Sequence, residues 1–111
     1  MKNDKLLTDV FQVLQDPIRI RIIEMLQHDH ERREFLPDTS EAKEGFCPMD
    51  ILAILTQGGT RISNTKLSYH LKELREKHII YLVKEGKRIF YLLNKDGLTV
   101  ILNWLQKIMK T

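Results

Sequence analysis

Between Ser63 and His78, the run SNTKLSYHLKELREKH sets side chains that can read or grip a polyanion along one side of a short helix. At about 100° per residue, Thr65, Tyr69, Lys72 and Glu76 share one side, flanked by Lys66 and Ser68, and Leu67, Leu71 and Leu74 form a narrow stripe opposite them. Hydroxyls, a phenol and a lysine reach base edges and phosphates in a DNA major groove about 12 Å wide, which admits one α-helix. Polar residues opposite an apolar stripe are also what any solvent-facing helix shows, so the flanking segments must decide.

The other residues with chemistry to offer make weaker sets. His28, Asp29, His30 and Cys47 are types that ligate Zn²⁺, which takes four N, S or O ligands at about 2.0 to 2.3 Å, but nothing in the sequence fixes their approach, and no metal site is expected. Cys47 is the only cysteine, which precludes an intrachain disulfide; a redox role would require a lowered thiol pKa. Gly58-Gly59 has no lysine-plus-hydroxyl signature after it, so it reads as a chain reversal and not as a phosphate loop. There is no nucleophile elbow, Walker loop or paired metal-binding histidine helix, and the carboxylates are scattered. Neither enzymatic activity nor a cofactor is expected. His70, at the edge of the leucine stripe, and His78, where the helix ends, are read as structural; a polar residue at position 78 tolerates the left-handed cap conformation.

Several elements must position the polar face. Ser63 is a good N-cap, and Lys72, Arg75 and Lys77 crowd the second half of the helix, where the dipole favours cations. Directly after it, Ile80, Leu82, Ile89, Tyr91 and Leu93 alternate with Tyr81, Val83, Phe90 and Leu92 around a charged tip, Lys84-Glu85-Gly86-Lys87-Arg88. That is a β-hairpin whose glycine is free to take positive φ. Two strands alone are marginal in water, so the hairpin must lie against the helices and project Lys84, Lys87 and Arg88. A basic prong beside a polar helix is the winged helix-turn-helix arrangement, with the helix in the major groove and the tip on the backbone or the adjacent minor groove.

Upstream, Leu6, Leu7, Val10, Phe11 and Leu14 recur at helical spacing, which predicts a first helix over about 4–15. Asp16-Pro17 starts a second, with Ile18, Ile22, Ile23 and Leu26 inside and Arg19 and Arg21 outside. Pro48 to Leu55 predicts a short third helix with Ile51, Leu52 and Leu55 inward, which would be the first helix of the helix-turn-helix. A last helix, capped by Asn94 or Asp96 and running to about residue 110, repeats Leu98, Ile101, Leu102, Leu105, Ile108 and Met109, with Trp104 beside them. This stripe is longer than one small domain needs, and a two-fold interface made with the first helix would bury it; packing within the monomer is the alternative. His28 to Pro48 lacks apolar periodicity and reads as a long loop, with short helices allowed near 31–35 or 41–44 and with Phe35, Leu36 and Phe46 as tethers.

As a set, Ser68-Tyr69-His70-Leu71, Leu74-Arg75, Gly86-Lys87-Arg88, Tyr91 and, upstream, Leu14-Gln15-Asp16-Pro17-Ile18-Arg19 resemble the recognition helix, wing and second-helix start of ArsR-type winged-helix regulators. The resemblance covers about half the chain. It implies a dimeric bacterial or archaeal transcription factor, usually a repressor, whose terminal helices form the dimer. The chain departs from that pattern in its long 28–48 connection. It also has no paired cysteines on the third helix and no His or Cys in the last, so the metal sensing frequent in such regulators does not carry over.

The chain of 111 residues, 42% hydrophobic and 30% charged, is one domain by size and ordinary for a globular protein. Its net charge of +3 is unevenly placed: Arg61 to Lys95 holds nine Lys/Arg against three Asp/Glu, whereas Asp29 to Asp50 holds three against seven. The basic third coincides with helix plus hairpin and points to nucleic acid. The N-terminus has no signal-peptide core, and no stretch approaches 18 apolar residues, so a cytoplasmic location is expected.

The expectation is therefore a mainly α domain with a β-hairpin, about five helices plus a two-stranded wing, spanning 1–111. Its double-stranded DNA contacts would be Thr65, Lys66, Ser68, Tyr69, Lys72, Lys84, Lys87 and Arg88, and it would act as a homodimer, with any effector or protein partner at the 28–48 loop. The alternative is a winged-helix protein-interaction module that uses the acidic loop and the apolar terminal helices.

Overall fold

The computed structural model of the chain describes residues 2–27 and 45–110. In order these form α1 (Lys2–Val13), α2 (Pro17–Gln27), α3 (Pro48–Gln57), α4 (Asn64–Glu76), β1 (Ile80–Glu85), β2 (Arg88–Leu93) and α5 (Lys95–Met109). Five helices and a two-stranded antiparallel hairpin are the expected element set. The expected tethers Phe35 and Leu36, the ligand types His28, Asp29 and His30, and the short helices near 31–35 and 41–44 lie outside the described residues.

Local chemistry sets the helix starts. Asp16 Oδ1 accepts from the Ile18 N–H at 2.8 Å while Pro17 opens α2, and Ser63 Oγ accepts from the Lys66 N–H at 3.1 Å at the head of α4. Asn94 occupies the cap position of α5 but makes no cap bond with its side chain; its amide donates instead to the His78 carbonyl at 2.9 Å. His78 itself stands at φ 60, the left-handed conformation expected of it. The backbones of α5 and the α4–β1 connection touch there, and a Cβ on Gly97 would sit 2.0 Å from the His78 oxygen. Only glycine fits.

Among the described residues one core lies between α2, α3, α4 and the base of the hairpin. It is built from Ile22, Met25, Leu26, Ile51, Ile54, Leu55, Leu67, Leu71, Leu74, Ile79 and Ile80, joined by Val10 and Val13 of α1. On α3 the inward set is Ile51, Ile54 and Leu55, with Leu52 only half-buried. Either trio spans about 100° of the helix, so spacing does not choose between them; with Asp50 also buried, the inward arc is centred between Ile51 and Ile54 and leaves Leu52 at its edge.

In the hairpin, Ile80 pairs with Leu93 and Glu85 with Arg88, which leaves Gly86-Lys87 as a two-residue turn in place of the five-residue tip that the charge pattern predicts. Gly86 has φ +62 and Lys87 does not share the positive φ, the sign pattern of a II′ turn. Exposure rises along β1 from buried Ile80 to exposed Lys84 and Glu85, so the hairpin leaves the core base-first. Phe46, expected as a tether, is completely buried and forms a one-residue bridge beside β2, exchanging backbone hydrogen bonds of 3.0 and 2.8 Å with Tyr91. The segment entering α3 is thereby pinned to the wing.

Candidate nucleic-acid interface

The candidate surface begins with α4, the helix whose stripe does the packing. Leu67, Leu71 and Leu74 are buried, each contributing about 1.5 to 3 kcal/mol by leaving water, and this fixes the rotation of the helix. Thr65, Lys66, Ser68, Tyr69 and Lys72 are all consequently exposed. Tyr69, at 54% exposure, is a large aromatic ring presented among polar neighbours. Lys72 lies 4.0 Å from Glu76 on the next turn, an exposed pair weak enough to give way to a phosphate. On the wing, Lys84 and Lys87 are exposed and Arg88 is half-buried at the start of β2.

Behind the polar face is a charged cluster of Asp16, Arg19 and His70, of which Arg19 alone lies where its residue type does not predict. Arg19, expected outside α2, is 8% exposed. Its Nε–H donates to His70 Nδ1 at 3.0 Å, its Nη1 donates to the Val13 carbonyl at 3.4 Å, and its guanidinium carbon lies 5.4 Å from the centre of the Tyr69 ring. Asp16 Oδ2 is 3.9 Å from the same His70 nitrogen. The signal was present in the sequence. Arg19, Ile22, Ile23 and Leu26 follow the i, i+3, i+4, i+7 spacing of a buried stripe, and the charge of the side chain masked its position. Arg21 is exposed, as expected, and donates to Thr60 in the turn before α4.

Burial lowers the His70 pKa from its ordinary value, Asp16 opposing and Arg19 reinforcing the effect. His70 accepts from Arg19 through Nδ1, so its proton sits on Nε2, which is buried with no hydrogen-bond partner among the described residues. Cys47, also buried, has its thiol pKa raised, chiefly by desolvation; this is the reverse of what a redox switch requires. No group of three or more potential metal ligands occurs among the described residues.

No protein-family model matches this sequence, nor does any curated protein. Solved structures do match. An ArsR-like transcriptional regulator from Rhodococcus sp. RHA1 superposes with a TM-score of 0.68 at 19% identity, over 99% of this chain and 85% of that one. HlyU from Vibrio cholerae N16961 matches with a TM-score of 0.63 at 18% identity, over 99% of this chain and 98% of that one. A homodimeric winged helix-turn-helix DNA-binding domain from Mycobacterium bovis, described as a possible ArsR-family regulator, matches with a TM-score of 0.59 at 16% identity, over 96% and 80% of the two chains. The fold is thus the winged helix-turn-helix of ArsR-type domains, with α3 and α4 as the helix-turn-helix and β1–β2 as the wing.

Proposed function

We propose that this chain is a sequence-specific DNA-binding transcriptional regulator of the cytoplasm, a repressor that occupies a pseudo-palindromic operator as a homodimer and blocks polymerase access. The observation that carries this is the rotation of α4: its three leucines are buried and all five of Thr65, Lys66, Ser68, Tyr69 and Lys72 face outward. Each subunit would lay this face in a major groove, the two half-sites about 34 Å apart, with Lys84, Lys87 and Arg88 adding contacts from the wing. The DNA-binding domain from Mycobacterium bovis supports the reading by its fold and its homodimeric state.

Electrophoretic shifts on genomic fragments at two salt concentrations test it, since binding through phosphate neutralisation weakens steeply with salt. Tyr69→Ala should cost roughly 1 to 3 kcal/mol on the best site and change sequence preference, whereas Lys87→Ala should weaken all sequences alike and reduce the salt slope by about one. If both variants bind as the parent does, the surface is misplaced. A protein-interaction role is the second reading, favoured by the exposed apolar residues Leu102, Leu105 and Met109 on α5. It predicts no salt-dependent shift on any fragment.

A further inference from the structure

We propose that Arg19, which touches no DNA in the arrangement above, is the positioning residue that holds Tyr69 in its reading pose, and that neutral His70 keeps Arg19 in place. The inference rests on the DNA-binding reading of α4. Tyr69 is exposed, and an exposed aromatic side chain ordinarily samples several rotamers, which blurs any contact it makes with a base edge. Here one face of its ring is backed by the Arg19 guanidinium, 5.4 Å from the ring centre, and the His70 ring lies beside it, tilted 59° with centroids 5.5 Å apart. Arg19 is constrained in turn from two directions, by the Val13 carbonyl at the end of α1 and by His70 Nδ1 on the inner side of α4.

The bond to His70 exists only while Nδ1 has a free lone pair. An imidazolium would set two N–H donors against each other and would leave a charged Nε2–H buried without a partner. The charged groups acting on His70 are Asp16 and Arg19 at the start of α2 and Lys66 and Glu73 on α4 itself, with the end of α1 contributing the Val13 carbonyl to the same cluster. Two positive neighbours against two negative ones leave burial to decide, and His70 is 2% exposed. The chain Val13–Arg19–His70 therefore connects α1 and α2 to the aromatic that α4 presents to DNA. Lysine cannot replace arginine in it, because an ammonium has neither the planar face for the ring nor the separate Nε–H for the imidazole.

The experiment compares parent, Arg19→Met, Arg19→Lys, His70→Leu and His70→Gln on two duplexes of equal length, one recovered by selection from a random-sequence pool and one with that sequence scrambled. Alongside, the free proteins are followed by NMR for solvent exchange of the Arg19 Nε–H and for cross-relaxation between Arg19 and the Tyr69 ring. Arg19→Met and Arg19→Lys should each lower the selected-to-scrambled affinity ratio by about tenfold, the scale of one lost base contact, while keeping the parental salt slope. His70→Gln, whose amide oxygen can accept from Arg19, should retain the ratio. His70→Leu should lose both the ratio and the protected Nε–H. In a Tyr69→Ala background Arg19→Met should cause no further loss of discrimination, which a general weakening of the fold would not predict.

Parental discrimination in Arg19→Met, or additive losses in the double variant, would overturn the assignment even with DNA binding intact. A parent with a protected Nε–H that prefers no duplex would instead overturn the recognition reading beneath it. Rapid exchange of the Nε–H in the parent would remove the lock itself.

Discussion

At the scale of single residues, the cluster beneath the polar face makes stability depend on pH. The unfolded chain protonates His70 near its ordinary value of 6.5, and burial lowers that value in the folded protein. A depressed folded-state pKa gives a contribution fully present above pH 6.5 and lost as the pH falls toward the folded value, because the unfolded state takes up the proton first. Urea unfolding at about pH 7.5 and about pH 5.5 should show the parent losing more stability on acidification than His70→Gln; equal losses would mean that His70 is not the titrating group. The residue scale is also where reading by type failed. Arg19, which its charge places outside α2, is almost wholly buried. A charge is assigned to solvent by default, and only the partner that a distant segment supplies reverses the assignment.

At the scale of elements, the arrangement of α4, wing and α5 depends on close backbone contact at one point. Gly97→Ala would drive a Cβ into the His78 carbonyl, so a loss of roughly 1 to 3 kcal/mol is expected, visible as a lowered urea midpoint. Ser63→Ala should cost about 1 kcal/mol through the lost cap bond to Lys66, and an unchanged midpoint would show that another group takes over the cap. These element ends were legible in the sequence because capping is local: Asp16-Pro17 and Ser63 announce their helices within three residues. The wing turn was less so. Lys84 and Glu85 look like tip residues by polarity, yet their backbones pair with Ile89 and Arg88, and backbone pairing has no hydropathy signature. The contact at Gly97 gave no sequence signal beyond the glycine itself.

At the scale of the molecule, α5 has no fully buried residue among its fifteen, although it is clearly amphipathic. Leu98 and Ile101 at its start pack partly on the core; beyond them Leu102, Trp104, Leu105 and Met109 are exposed, at 52, 38, 42 and 81%. Phe11 of α1 meets Trp104 edge-on with centroids 5.5 Å apart, so the terminal helices share one apolar surface. In the proposed homodimer a second copy would cover it. Sedimentation equilibrium should give twice the chain mass for the parent and a single chain for Leu102→Glu/Leu105→Glu, with the fold retained because both side chains are already solvent-facing in one subunit. A monomeric parent would remove the dimer from the proposal.

Periodicity and capping by themselves determined the five helices, the hairpin and the outward set of α4, because these depend on side-chain spacing and on groups a few residues apart. Tertiary structure alone decided that Arg19 meets His70, that Phe46 bridges to Tyr91 and that Gly97 lies against His78. Each joins residues far apart in the chain, and no local pattern encodes a partner's position. A charged or backbone group is committed to the interior only where the fold brings that partner to it.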